Sequence, residues 1–191
     1  MADALHLVAL CGSLRKGSFN RSLLAALPPL APEGMTIEVL EWGHLPVLNT
    51  DLEIDGVPPA EVRALQQRIR ASDGLLICTP EYNHSIPGGL KNAIDWLSRG
   101  PMPHGLFEVP TAILGASDGT IGTTRAQAIL RQTLTTLNAP AMPFPQVLVA
   151  TAQKKFDAEG KLTDDNTREF LRTYLVAVAR WMRRFPKAER G

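Results

Sequence analysis

An α/β fold built on a doubly wound, five-stranded parallel sheet in the order 2-1-3-4-5, with helices on both faces, is what this sequence predicts. Three observations predict it. Four short runs are nearly continuously apolar, the pattern of strands covered on both faces. Amphipathic segments with a period near 3.6 lie between and after them. One further run alternates apolar and polar residues, as a strand with an open face must, and this order puts the second strand at an edge.

Taken along the chain, "LHLVALC" (5 to 11) reads as the first strand, broken at Gly12 by the loop "GSLRKGSFN", after which a helical pattern starts near Asn20. "MTIEVLE" (35 to 41) sets Met35, Ile37 and Val39 against Thr36 and Glu38 and is the edge strand. Val62, Leu65 and Ile69 mark the next helix, and "GLLICT" (74 to 79) the third strand. After a loop bracketed by Pro80 and Pro87, a helix is expected from near Leu90, with Ala93, Ile94 and Leu97 on its apolar side. "TAILGA" (111 to 116) is the fourth strand. Ala126, Ile129, Leu130, Leu134 and Leu137 give a helix, "QVLVA" (146 to 150) the fifth strand, and Phe170, Tyr174, Val178, Trp181 and Met182 the last helix. One domain over residues 1 to 191 accommodates all of it.

Composition narrows the function. The chain is 45% hydrophobic and 20% charged, ordinary for a globular protein. With 20 Lys+Arg against 19 Asp+Glu the net charge is +1, so no global field recruits nucleic acid or an anionic membrane. No apolar run approaches the roughly 18 residues of a membrane span, and the N-terminus lacks the basic start and length of a signal peptide, so a cytoplasmic protein is expected. Cys11 and Cys78 each close an apolar run and read as buried, reduced thiols. His6, His44 and His104 lack metal-ligand spacing; they read as structural or surface residues, and no metal site is expected.

Open α/β sheets bind ligands outside the carboxyl ends of their strands where the winding reverses, here between the first and third strands. The loops to inspect are therefore 12 to 20, 80 to 87 and 117 to 122. In the first, Gly12 and Gly17 have the spacing of a triphosphate-binding Walker A loop, but Ser18 stands where its lysine belongs and Lys16 precedes the second glycine. The dinucleotide fingerprint G-x-G-x-x-G fails because Leu14 occupies its second glycine. Ser13, Arg15, Ser18 and Asn20 offer two hydroxyls, a guanidinium and an amide beside a helix start, which suits a terminal monophosphate. The competing reading is a helix cap by Ser18 or Asn20 with Arg15 and Lys16 solvated. In the second loop, "TPEYNHSIPGG", the prolines stiffen the chain and Gly88 and Gly89 permit unusual backbone angles, giving fixed amide groups for the edge of a flat heteroaromatic ring. Tyr82 could pack on that ring or simply on the protein, and Glu81 could be a solvated or capping carboxylate.

Together, "GSLRKGSFN" after the first strand and "PEYNHSIPGGLKNAIDWLSR" after the third resemble the NAD(P)H-dependent FMN reductase family, flavodoxin-like in fold, and especially its bacterial quinone and chromate reductase branch. The resemblance implies FMN as cofactor, its phosphate held by Ser13, Arg15, Ser18 and Asn20, with Pro80, Glu81, Tyr82 and Asn83 lining the isoalloxazine and Ser117 of "GASDGTIG" beside the ring. His84 and Asp118 depart from what many relatives carry and are expected on the acceptor side. The family's chemistry would be two-step: hydride from NADPH or NADH to the flavin, then reduction of a quinone, free flavin, chromate or azo compound at the same face, with the cofactor and no protein nucleophile or metal doing the chemistry. Relatives commonly dimerise or tetramerise over the flavin site. Trp96, Met102, Leu106 and Phe107 are candidates for such an interface, although Trp96 could equally pack in its own core. A homodimer is expected, with a homotetramer as the alternative, and Arg125 resembles a tetramer-contact position. A dehydrogenase using Glu41 as its ribose-binding acid, a flavodoxin-type electron carrier and a non-catalytic flavin-binding module are the rival readings.

Overall fold

The computed structural model describes residues 4–190. Strands β1 (Leu5–Cys11), β2 (Met35–Leu40), β3 (Gly74–Cys78), β4 (Thr111–Ala116) and β5 (Val147–Val149) form one sheet, all pairs parallel, in the order β2-β1-β3-β4-β5. The helices are α1 (Phe19–Ala25), α2 (Ala60–Ala71), α3 (Gly88–Leu97), α4 (Thr124–Thr136) and α5 (Asp165–Met182). This is the doubly wound, flavodoxin-like order expected from the sequence.

The two faces follow from the period-2 alternation of side chains along each strand. Leu7, Ala9 and Cys11 of β1, Leu76 and Cys78 of β3 and Leu114 of β4 pack under α1 and α5. Val8, Leu10, Leu75, Ile77 and Ile113 pack under α2, α3 and α4. Fully burying a Leu or Ile side chain is worth about 1.5–3 kcal/mol, so these two layers dominate the stability of the fold. On the edge strand β2, Thr36 is exposed as expected, while Val39, read with Met35 and Ile37 as core-facing, is 40% exposed.

Between β2 and α2 the chain makes a long excursion that is pinned across α3. Asn92 brackets it, accepting from the Leu48 N–H (2.7 Å) and donating to the Pro46 carbonyl (2.9 Å), while Trp96 Nε1 donates to the same carbonyl (2.8 Å). A bidentate Arg99–Glu53 pair ties its far end. Trp96 and Leu106 are consequently fully buried in their own chain and unavailable to a partner, which corrects their reading as interface residues; Met102 remains exposed.

Helix α3 begins at Gly88, directly after Pro87 and two residues earlier than the sequence suggests. Neither Gly88 nor Gly89 has a positive φ. Gly89 instead lies close against a neighbour, since a Cβ there would stand a tight 3.1 Å from the Trp42 ring. Among the described residues no helix is long and apolar enough to cross a membrane.

Candidate functional site

The C-terminal ends of β1, β3 and β4 bring the three loops into contact. The Gly12 N–H donates to the Cys78 carbonyl (2.7 Å) and the Thr79 N–H to the Leu114 carbonyl (2.9 Å). A Cβ on Gly12 would meet Leu90, Pro80 and Thr79 at a tight 3.0–3.1 Å, so the first loop lies close against the second here.

In the first loop Ser13 is buried and its Oγ accepts from the Arg15 N–H (3.3 Å). Ser18, also buried, is the N-cap of α1, accepting from the Asn20 N–H (3.2 Å). The capping alternative thus describes what Ser18 Oγ accepts, and its hydroxyl also stands within hydrogen-bond reach of the Cys11 thiol. Arg15 and Lys16 are exposed, and among the described residues neither takes a carboxylate partner. Among the described residues, leaving out residues 16–18 themselves, no atom lies within 4 Å of where a Gly17 Cβ would stand. Helix α1 has only seven residues, so the cations and loop donors, more than a helix dipole, make this loop attractive to an anion. Asn20 behaves differently from its neighbours: it is buried, and its amide is engaged with the backbone of Ala116 and the thiol of Cys78.

Those thiols are adjacent across the β1–β3 ladder, Cys11 opposite Cys78. Both are free and buried, as expected. Burial raises the pKa of each, Cys78 strongly, so both stay protonated and unreactive at neutral pH.

The second loop is a two-residue hairpin. Tyr82 and Ser85 exchange both backbone hydrogen bonds, each 2.9 Å, and the central residues Asn83 (φ 50°) and His84 (φ 63°) are left-handed, the signature of a type I′ turn. The unusual backbone angles expected of Gly88 and Gly89 therefore fall on Asn83 and His84. Asparagine and histidine are among the few non-glycine residues enriched in this region, so the turn forms here without a glycine. Tyr82, Asn83 and His84 are exposed; Pro80 is buried.

Glu81 caps α4. That helix has no side-chain cap of its own at Thr123. Glu81 Oε2 accepts from the N–H groups of Arg125 (2.9 Å) and Ala126 (3.2 Å), and Oε1 from the Arg125 guanidinium (3.2 Å). The carboxylate is thus occupied in bracing the hairpin, leaving only the backbone of residue 81 for a ligand, and Arg125 has its partner within the chain. Burial would raise the Glu81 pKa, but the two N–H groups and the guanidinium outweigh it and hold the carboxyl below its ordinary value. A depressed pKa stabilises the fold above the unfolded value of about 4.3, and that contribution is lost as pH falls through the folded pKa. Glu81→Gln should therefore cost about 1 kcal/mol at pH 7, the typical worth of a helix cap. Urea unfolding of parent and variant from pH 7 to pH 3.5 should show the gap closing only below about pH 4.3.

In the third loop Ser117 is half-buried, its Oγ donating to the Gly122 carbonyl (2.8 Å) and its N–H to Val149 (2.9 Å); Asp118 is exposed at the rim. A cavity of about 510 Å³ elsewhere, between α1 and α5, is lined by residues of none of the three loops, such as Ala26, Leu30 and Arg168. The chemistry-bearing groups converge at the strand ends and not there.

At the switch point of this doubly wound sheet, where such folds take their ligands, a cationic loop stands on one side and a braced hairpin on the other, an arrangement that suits a nucleotide-type ligand. Residues 5–154 match the family described as NADPH-dependent FMN reductase. The chain is 46% identical over 184 residues to an NAD(P)H-dependent FMN reductase of Pseudomonas aeruginosa, covering 96% of this chain and 98% of that one. To a quinone reductase of Escherichia coli it is 42% identical over 186 residues, with coverage of 96% and 98%. Among solved structures, the flavoenzyme NAD(P)H:(acceptor) oxidoreductase FerB of Paracoccus denitrificans superposes with a TM-score of 0.86 at 36% identity, covering 96% of this chain and all of the other. The chain belongs to the NADPH-dependent FMN reductase family, and with it to the oxidoreductases that work through FMN and NAD(P)H. The donor set fits that cofactor's phosphate: an exposed Arg15 and Lys16, the Ser13 and Ser18 hydroxyls, and open space at Gly17.

Proposed function

We propose that this protein is an NAD(P)H-dependent quinone reductase with FMN in the crevice between the 12–18 loop and the 82–85 hairpin. The observation that carries this reading is that Arg15, which among the described residues pairs with no carboxylate, stands on one side of the β1 and β3 ends and a braced type I′ hairpin on the other. Arg15, Ser13 and Ser18 would hold the phosphate, and the backbone of residues 80 to 83 with Asn83 would line the ring edge, with Tyr82 and Ser117 beside it. When bound, FMN supplies two-electron chemistry, accepting hydride from NAD(P)H and delivering it to a second substrate. The chain's own part is to fix the ring and leave one face open, so that donor and acceptor use it in turn. Its close relatives named quinone reductase favour a quinone over chromate or azo compounds as acceptor. The enzyme would work in the cytoplasm as a homodimer, a tetramer being the alternative, which light scattering at micromolar concentration reads directly.

Steady-state assays with NADH and NADPH across quinones, free FMN, azo dyes and chromate test this. Parallel double-reciprocal lines with a quinone are expected, and intersecting lines would show that both substrates bind together. His84 and Asp118, exposed at the rim, would shape the mouth on the acceptor side. Hydride transfer takes no proton from the protein, so His84→Ala should leave flavin reduction by NADPH, followed anaerobically by stopped flow, within about tenfold of the parent. Its relative rates among quinones should shift. A thousandfold fall in flavin reduction with FMN still bound would put His84 in the nicotinamide site instead.

A further inference from the structure

We propose that Asn20 is a positioning residue that sets the spacing between the phosphate side and the ring side of the crevice, and is not a ligand of the phosphate; this rests on the flavin reading above. Asn20 is 2% exposed, and its amide is committed to the protein. Oδ1 accepts from the Ala116 N–H (2.9 Å) and from the Cys78 thiol (3.3 Å), and Nδ2 donates to the Ala116 carbonyl (2.9 Å). Both acceptor sites of the oxygen are filled, and one of the two amide protons is used.

The reason lies in the sheet. Ladder pairing of β3 with β4 ends at Cys78 opposite Leu114. Two residues further on, β3 has become Pro80, which has no N–H to continue the ladder, and the chain turns into the hairpin loop. Ala116, the last residue of β4, would there be left with a buried N–H and carbonyl unpaired on that side, a loss no native backbone sustains cheaply. The Asn20 amide, a donor and an acceptor in one plane, stands in for the missing strand residue. Since Asn20 lies in the first turn of α1, directly after the phosphate-side loop, one side chain joins that loop to the end of β3, which leads to the hairpin, and to the end of β4, which leads to Ser117.

A phosphate ligand and a positioning residue differ in what their loss does to a flavin without phosphate. Titrating parent, Arg15→Ala and Asn20→Ala with FMN and with riboflavin separates them. Arg15→Ala should collapse the preference for FMN. Asn20→Ala should weaken both flavins, each by about tenfold, keep their ratio within about threefold, and shift the visible absorption of the bound flavin. Loss of the FMN preference in Asn20→Ala would make Asn20 a ligand and overturn the proposal. So would a lowered melting temperature with both affinities and the bound-flavin spectrum unchanged, the result of a merely structural residue. The unmutated protein supplies a second measurement that folding of the variant cannot confound. Under this proposal the Ala116 N–H and the Asn20 side-chain amide stay protected from hydrogen exchange when FMN saturates the protein; release of Ala116 on FMN binding would overturn it. Failure of the parent to bind either flavin would overturn the flavin reading itself, an outcome distinct from the other two.

Discussion

Arg15→Ala is expected to weaken FMN binding by about 10- to 150-fold and to leave riboflavin binding within about threefold of the parent. The magnitude is that of one hydrogen bond to a charged group, about 1.5–3 kcal/mol, converted at 1.4 kcal/mol per decade. Arg15 is the group to test because it is exposed and, among the described residues, pairs with no carboxylate, whereas Arg21, Arg99 and Arg125 pair with Glu41, Glu53 and Glu81. A guanidinium with no internal partner costs nothing structurally to remove, so the variant should keep the parent's stability within about 0.5 kcal/mol. Fluorescence titrations with the two flavins at fixed ionic strength decide it. Equal losses for both flavins would mean that Arg15 acts on the ring or on the fold, and equal parental affinities for the two would mean that the loop reads no phosphate.

Much of this was legible in the sequence because periodicity reports burial directly. The apolar runs at 5 to 11, 74 to 79 and 111 to 116 became strands covered on both faces because parity sets a residue's side of the sheet; the alternation at 35 to 41 became an edge strand, although parity did not bury Val39, which the open edge leaves exposed. The loops were legible for the related reason that strand order decides where a crevice opens. Less legible was what each polar side chain in those loops would do. Ser, Asn and Glu serve equally as ligands and as caps, and only the fold decides between backbone partners from distant elements. Asn20 was read as one of four phosphate groups, and nothing near it in sequence announces that its amide also pairs with Ala116, 96 positions away. Glu81 was left open between roles, and it caps a helix that begins 43 residues later and carries no cap of its own.

Two features were missed for a similar reason. Trp42, whose indole donates to the Cys11 carbonyl (2.8 Å) and whose ring crowds the position a Cβ would take at residue 89, sits in a stretch with no periodicity. The signal available was Gly89 itself, a glycine in the first turn of a helix, where its conformational freedom is a disadvantage and packing is the usual reason for it. The hairpin was hidden because its left-handed positions are filled by Asn83 and His84 and not by the Asn-Gly pair that normally announces a type I′ turn.

Gly115→Ala should be among the most damaging glycine-to-alanine changes at the described residues. Gly115 lies inside β4, where glycine is ordinarily a weakness, so its presence points to a close approach. A Cβ there would stand 2.1 Å from Thr123 Oγ1 and 2.4 Å from the Thr79 carbonyl oxygen. Neither can yield cheaply. Thr123 Oγ1 accepts from Gln127 Nε2 (3.0 Å), which also donates to the Val147 carbonyl (2.8 Å), so moving it disturbs the start of α4 and the β5 edge together. The Thr79 carbonyl is backbone at the end of β3, one residue before Pro80, so displacing it moves the hairpin that the ring would face. Overpacking a well-packed site costs about 1–3 kcal/mol and more when backbone must shift, and here about 3 kcal/mol or more is expected, a large share of a typical 5–15 kcal/mol. Gly17→Ala is the matched control: its Cβ would meet nothing within 4 Å, so stability should change by no more than about 0.5 kcal/mol. Urea unfolding of both variants reads the stabilities, and FMN titration of whatever Gly115→Ala remains folded reads the site. Gly115→Ala with a loss below about 1 kcal/mol and parental FMN affinity would show that β3 and α4 can part at this point without disturbing the crevice, and that the close approach at Gly115 does not position the hairpin.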